Sequence, residues 1–531
     1  MKKANLLAAA LAFVSINALA QPELVDVVIT DKSGKTQLVS VERDNLSHFK
    51  NTKAQEGLLV ETNPSLFIAP PKKDLAEETI DLFTMKSTSV GTGNDPDLDK
   101  QLYLHARTES NLTGSNVQSA WELGEQVKTP KIAILDNGFL QEGRFQDVVA
   151  KKSVSFLPAK YGQSGWDSSE EELACATGHG LGVAGLIGAK RGDNFGIAGI
   201  VDADLYLVQV LSCSQGSGTL YNSALAIRWA AGDTIEGFET LEEPVDIINM
   251  SFGAEVAYCP SYMQDAINYA NSKGVLVVAG AGNDSQDVSQ FTAANCQGVV
   301  RASSISPDTN DLSDFANYGD VTVVAQGDRV FSYGNTKTTD TDRVRWSGTS
   351  FSAPIVSGSL ALAKAHAPTL TNSDLITIMN NTAIENTNSE CLTKGCGNGL
   401  IDTYALVQKA KSIEEDGYGY ISSVLGNKQP CELKLYETAT GVFSRLCASF
   451  NVNLNPITDM SKDGSIAKLY KTLKTGTQSE LVLETEKTEF IVADLDLENY
   501  TYHYELCNGE SCGDKYALTY KGNEPPASCK E

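Results

Sequence analysis

Gly348-Thr349-Ser350-Phe351-Ser352-Ala353-Pro354 joins a polar, turn-forming segment to the apolar run Ile355, Val356, Leu360, Ala361 and Leu362. These residues predict a glycine turn that delivers a serine to the first turn of a buried helix. A helix start leaves backbone N–H groups without intrahelical acceptors. A hydroxyl beside such donors suits a nucleophile whose reaction develops an oxyanion. The small neighbours Gly348, Thr349, Ser352 and Ala353 leave room for a substrate. Pro354 is expected near the helix start, where its missing N–H needs no partner. Most serines are surface or capping residues, so this one gains meaning only if a base, an orienting acid and an oxyanion donor lie elsewhere in the chain.

Outward from that stretch, residues 94–411 alternate between short β-rich runs and helical stretches. Strands are predicted at 131–135, 204–210, 246–250, 275–279, 299–302 and 321–325. Helices are predicted at 179–189, 221–231, 261–273, 350–365 and 371–382. The fold class is therefore α/β, a mostly parallel sheet with helices on both faces. Such sheets carry their chemistry at the carboxyl ends of the strands.

Three segments meet that condition. Lys131-Ile132-Ala133-Ile134-Leu135-Asp136 is a buried strand that ends in an acid, although Asp136-Asn137-Gly138 is also an ordinary turn sequence. Gly178-His179-Gly180 opens a helix of small residues, which leaves an imidazole at the helix's exposed end. Val277-Val278-Ala279-Gly280-Ala281-Gly282-Asn283 ends a buried strand in an amide bracketed by glycines. The side-chain N–H₂ of Asn283 is a neutral donor suited to an oxyanion; taken alone, a left-handed turn residue explains it equally well.

In chain order the four are Asp136, His179, Asn283 and Ser350. Together with the Gly-Thr-Ser-x-Ser-Ala-Pro signature they resemble the subtilisin-type serine proteases (subtilases), whose triad runs Asp…His…Ser. The likeness covers about 94–411. It implies that Ser350 attacks the scissile carbonyl, His179 moves the proton and Asp136 orients the imidazole. Asn283 and the Ser350 N–H would hold the oxyanion. It further implies a peptide bound as an added strand between two edges. One edge is Gly216, Ser217 and Gly218; the other is Ser251, Phe252 and Gly253, with Ala281 and Gly282 beside it. No catalytic cofactor is implied. A structural calcium is, with Asp147 and Asp193 in the corresponding places. One departure is Gln326, where the family usually has proline.

The ends of the chain read differently. Lys2 and Lys3, the apolar core from Leu6 to Val14 and Ala18-Leu19-Ala20 form an export signal over 1–20. Residues 21–93 read as a small α+β unit with strands at 24–30 and 36–41, followed by a Ser/Thr/Gly/Asn/Asp-rich linker at 87–97. By position this unit is a propeptide, an inhibitor and folding aid. After a hinge at 412–418, the residues to 531 show period-two runs and an Asn508-Gly509 turn, which predict a small antiparallel β-sandwich.

Eleven cysteines in an exported chain indicate disulfides. Candidate pairs are Cys391–Cys396, Cys431–Cys447, Cys507–Cys512, Cys175–Cys213 and Cys259–Cys296, with Cys529 left over. The five histidines form no His-Glu-x-x-His zinc motif. A formal net charge of -25 argues against nucleic acid or anionic lipid as a partner. No later stretch is apolar enough to insert stably in a membrane.

The chain is thus expected to be a secreted, monomeric serine endopeptidase made as an inactive precursor. The rival is a non-catalytic binding protein on the same scaffold. An esterase of the α/β-hydrolase type needs Gly-x-Ser-x-Gly and the order Ser…Asp…His, which the sequence lacks.

Overall fold

The computed structural model describes residues 23–67, 95–137, 139, 147–157, 178–212, 216–334 and 343–425, and eight strands after residue 434. The expected export signal at 1–20, linker residues 87–94, Gln215 and Cys175, Cys213, Cys431, Cys447 and Cys529 lie outside the described residues. The chain forms two compact units, Met1–Lys411 and Ser412–Glu531.

Seven parallel strands form the centre of the first unit. In chain order they are β1 (Lys131–Asp136), β2 (Ala150–Ser155), β3 (Asp204–Gln209), β4 (Ile247–Met250), β5 (Leu276–Gly280), β6 (Val299–Ile305) and β7 (Val323–Gln326). Their order across the sheet is β7-β6-β5-β4-β1-β3-β2. Ile132, Ala133, Ile134 and Leu135 of β1 are all fully buried, as an unbroken apolar run in a sheet covered on both faces should be. β2 was not legible in the sequence. It is an edge strand, and its Lys151 and Lys152 mask the period-two pattern.

Four helices matter for the site: α1 (His179–Gly188), α2 (Leu220–Ala230), α3 (Ser261–Ser272) and α4 (Thr349–His366). Each begins and ends within a residue or two of expectation. Ala133, Leu135, Ile248, Met250, Val277 and Ala279, alternate residues of three strands, pack with α2 and α3 in one core. α4 lies across β4 to β7 and against α1. The chain order reverses at β1, where later strands add on either side, and such a switch point opens a crevice at the carboxyl ends.

The N-terminal residues form an antiparallel sheet of Thr36–Glu42, Leu24–Thr30 and Leu59–Thr62, with the helix Leu46–Gln55. A further short strand, Ser65–Phe67, pairs not with that sheet but with Ser217–Thr219.

The second unit consists of two four-stranded antiparallel sheets. Its last hairpin pairs Asn508 with Ser511 and sets Cys507 opposite Cys512. The hinge expected at 412–418 is instead helical, inside Thr403–Leu425. Gly417 and Gly419 each weaken a helix by about 1 kcal/mol, in a run that otherwise continues it. Among the described residues two of the expected disulfides are formed, Cys259–Cys296 and Cys391–Cys396.

Candidate active site

Asp136 is the last residue of β1 and is fully buried. Its Oδ1 accepts the Asn137 N–H at 2.8 Å and lies 2.8 Å from Nδ1 of His179. That contact fixes the imidazole's orientation and directs its Nε2 outward. The helix start comes very close to the end of the strand: the Gly180 N–H donates to the Asn137 carbonyl at 2.9 Å. A Cβ at residue 180 would lie 2.1 Å from that oxygen. Glycine after the histidine is therefore a condition of the Asp136–His179 contact.

Two aromatic rings support His179 from the side. Trp346 and Phe351 stack at 4.8 Å, and both meet the imidazole edge-on, at 5.7 Å and 5.2 Å. The Trp346 Nε1–H is anchored on the Tyr333 carbonyl at 2.8 Å. Trp346 gave no sequence signal, because its strand, Arg343–Trp346, belongs to an antiparallel hairpin outside the strand–helix alternation.

Ser350 occupies the second position of α4 and is 7% exposed. Its hydroxyl donates to the Ser251 carbonyl at 2.9 Å. The Ser251 hydroxyl in turn donates to the Ser350 carbonyl at 2.8 Å. The second bond corrects the expectation for Pro354. Because α4 begins at Thr349, Pro354 lies beyond the first turn, and its missing N–H leaves the Ser350 carbonyl without the usual helical donor. Ser251 supplies the donor instead. Asn249 holds the Ser251 hydroxyl at 2.9 Å and is itself held by Ser357 at 2.9 Å. Neither was singled out from the sequence. An asparagine inside the apolar strand β4 was the available signal.

Asn283 follows β5 by a short link. Its Oδ1 accepts both the Thr349 N–H at 2.8 Å and the Thr349 hydroxyl at 3.0 Å. With the carbonyl end tied down, the amide nitrogen is the end left to face the cleft. Asn283 is not a left-handed turn residue; at this turn Gly282 and Ser285 take the positive φ.

Phe67 pairs antiparallel with Ser217 on one side and with Gly253 on the other, its N–H donating to the Gly253 carbonyl at 3.2 Å. The two edges expected to bind an extended peptide thus flank a strand of the chain itself. The cleft beside it has a volume of about 230 Å³, and its lining includes Phe67, Ser350, Asn283, Gly253, Gly282 and Phe291. Two further residues of the expected walls have these surroundings. Ala281 packs into a small apolar cluster with Val288, Ala294 and Val321. Gly216 closes a turn onto the Ser212 carbonyl at 2.8 Å.

Asp147 is fully buried. Its Oδ2 accepts from the Tyr333 hydroxyl, and its Oδ1 has no hydrogen-bond partner. Burial pushes its carboxyl up to about 7, against the pull of Tyr333 and with help from Asp193 and Asp95. Asp193 is exposed and accepts the Phe195 N–H at 2.9 Å. Among the described residues no three His, Cys, Asp or Glu side chains group closely enough to hold a metal. Among the described residues, too, no helix is long and apolar enough to cross a membrane.

Residues 127–419 match the subtilase family. An extracellular protease of Xanthomonas campestris pv. campestris is 28% identical over 426 residues, covering 72% of this chain and 72% of its own length. Subtilisin Savinase of Lederbergia lenta is 30% identical over 282 residues, 52% of this chain and 89% of its own. A solved structure of a Pseudoalteromonas arctica protease superposes with a TM-score of 0.53 at 28% identity, over 60% of this chain and all of that one. The α/β sheet, the family match and the protease relatives together identify the chain as a member of the subtilase family, a serine endopeptidase.

Proposed function

We propose that the protein is a secreted endopeptidase, made as an inactive precursor, in which Asp136, His179 and Ser350 form the catalytic triad and Asn283 the oxyanion donor. The observation that carries this is the Asp136–His179 contact at 2.8 Å beside a serine at the start of α4. The Ser350 hydroxyl leaves the Ser251 carbonyl, turns to Nε2 of His179 and attacks the scissile carbonyl as its proton passes to the imidazole. The oxyanion is met by the Asn283 amide and the Ser350 N–H, which as the second helical N–H has no intrahelical acceptor. Collapse breaks the C–N bond, and the leaving amine takes the proton from His179. Water then hydrolyses the acyl-enzyme by the same route in reverse. Asp136 stabilises the imidazolium throughout.

The segment 21–93 acts as the built-in inhibitor, after removal of the signal at 1–20. Support comes from Ser65–Phe67, which lies where a substrate strand would bind, and from its anchors. Glu61 accepts the Ser261 N–H at 2.9 Å, at the start of α3, and Asn63 accepts the Tyr221 N–H at 3.1 Å, at the start of α2. Both satisfy helix-start donors. The sheets from 412 onward form a separate domain. A structural calcium belongs to the same proposal: the unpartnered Oδ1 of Asp147, together with Asp193, would hold it, neutralising a buried acid whose pKa is raised by burial and by the charge of Asp193. It would rigidify the loop after α1 and take no part in catalysis. Chelation should then lower the thermal midpoint, and an unchanged midpoint with no calcium found by elemental analysis would remove it. The catalytic claim is tested by a fluorophosphonate, which should label Ser350 in the mature chain and fail to label a His179→Ala variant. Equal labelling of both would contradict it.

A further inference from the structure

Phe291 stands between the two walls that would receive the side chain of the residue before the cleaved bond. It follows a short 3-10 turn and pairs with Glu255, so that Phe291–Thr292 runs antiparallel to Ala254–Glu255 beneath the cleft. A Cβ built on Gly253 would lie 2.2 Å from the Phe291 ring, and one on Gly282 would lie 2.8 Å from it. Gly253 belongs to one wall and Gly282 to the other, so a single aromatic ring touches both. Their lack of side chains is what lets it fit.

The direction of a substrate side chain follows from the strand already there. Successive residues of a strand point to opposite faces. Leu66 turns into the core and is fully buried, whereas Phe67 is 58% exposed and lines the cleft. In an antiparallel pairing, the residue opposite Ser251 follows the one opposite Gly253 by two positions, so it points to the same face as Phe67. Ser251 is also where the Ser350 hydroxyl is held. The residue whose carbonyl is attacked therefore sends its side chain into the gap that the Phe291 ring occupies. Phe252, the aromatic residue that the sequence offered for this pocket, also lines the cleft but is 4% exposed and packs with the core, whereas the Phe291 ring lies against both glycine walls.

We infer that Phe291 sets the specificity of this protease by filling the pocket for the residue before the scissile bond, so that the enzyme cleaves after small residues such as Ala, Ser or Gly. The inference rests on the assignment of Ser350 as nucleophile. A large side chain has to displace the ring or leave the cleft, and mismatches of this kind in an apolar pocket cost roughly 10- to 200-fold in rate.

The test uses the mature enzyme on peptide 4-nitroanilides that differ only in the last residue, Ala, Leu or Phe, with fluorophosphonate labelling as the count of competent sites. The wild type should favour Ala over Phe in kcat/KM by at least about ten-fold. Phe291→Ala and Phe291→Gly should raise the ratio of kcat/KM on the Phe substrate to that on the Ala substrate by at least about ten-fold. Labelled wild type that cleaves after Phe as fast as after Ala would overturn the pocket assignment alone, as would labelled variants with an unchanged preference. A wild-type chain that is neither labelled nor active on any of the substrates would overturn the nucleophile assignment and the inference with it.

Discussion

Ser251 and Ser350 are joined by two reciprocal hydrogen bonds, each hydroxyl donating to the other's carbonyl, at 2.8 Å and 2.9 Å. The link ties the end of β4 to the start of α4 and satisfies the carbonyl that Pro354 leaves without a donor. Ser251→Ala strands that buried carbonyl, which costs about 1–3 kcal/mol. The expected result is a loss of that size in urea unfolding, measured on a Ser350→Ala background so that self-digestion does not interfere. A change below about 0.5 kcal/mol, as for an ordinary surface substitution, would mean the bond does not support the helix start.

Asn283 is held by its carbonyl end, so a shortened side chain removes the proposed oxyanion donor and leaves the cleft edges in place. Asn283→Ala should lower kcat by about 10²–10³, the range established for subtilisin, with KM nearly unchanged. Steady-state kinetics on one peptide gives both constants. A rise in KM at constant kcat would assign Asn283 to substrate binding instead.

Leu66 is the fully buried residue of Ser65–Phe67, the strand proposed to block the cleft. In the full-length chain carrying Ser350→Ala, Leu66→Asp puts a charge into an apolar site and should release Ser65–Phe67 from the cleft. Binding of a fluorescent peptide, followed by anisotropy, should tighten by at least about ten-fold, the equivalent of some 1.4 kcal/mol. Equal affinity in the two chains would show that the strand does not block the site.

Glu255 and Asp284 line the cleft beside Phe291. Burial raises the Asp284 carboxyl above the usual range, and the charge of Glu255 adds to the shift. Both acids disfavour a carboxylate on the substrate. A raised pKa means that Asp284 takes up its proton at a higher pH than an ordinary aspartate as the pH falls. The preference for an Asn over an Asp substrate should therefore shrink on acidification before the substrate itself titrates. Asp284→Asn should weaken that preference at neutral pH and flatten its pH dependence. A pH profile identical in wild type and variant would exclude Asp284 from the effect.

Much of this site was legible because parallel strands announce themselves as unbroken apolar runs, and the informative residue stands where each run stops. Asp136 ends β1, Asn283 follows β5, and Ser350 precedes the apolar face of α4. What was hidden depends on contacts between distant segments. Phe291 reads as an ordinary apolar residue after a polar loop, and only Gly253 and Gly282, 38 and 9 positions earlier, give it a place in the pocket. Asn249 and Ser357 matter only because β4 and α4 cross. Pro354 was misread because its consequence lies at the Ser350 carbonyl and its remedy at Ser251. The edge strand β2 was missed because solvent-facing lysines erase its period.

The most direct test of the account is hydrolysis of an Ala-terminated peptide 4-nitroanilide by the mature wild type and by the Ser350→Ala variant, both freed of residues 21–93. Wild type should turn the substrate over, and the variant should lose about 10⁶-fold in kcat, the scale established for subtilisin. A Ser350→Ala chain that kept wild-type turnover would contradict the assignment of this serine as the nucleophile.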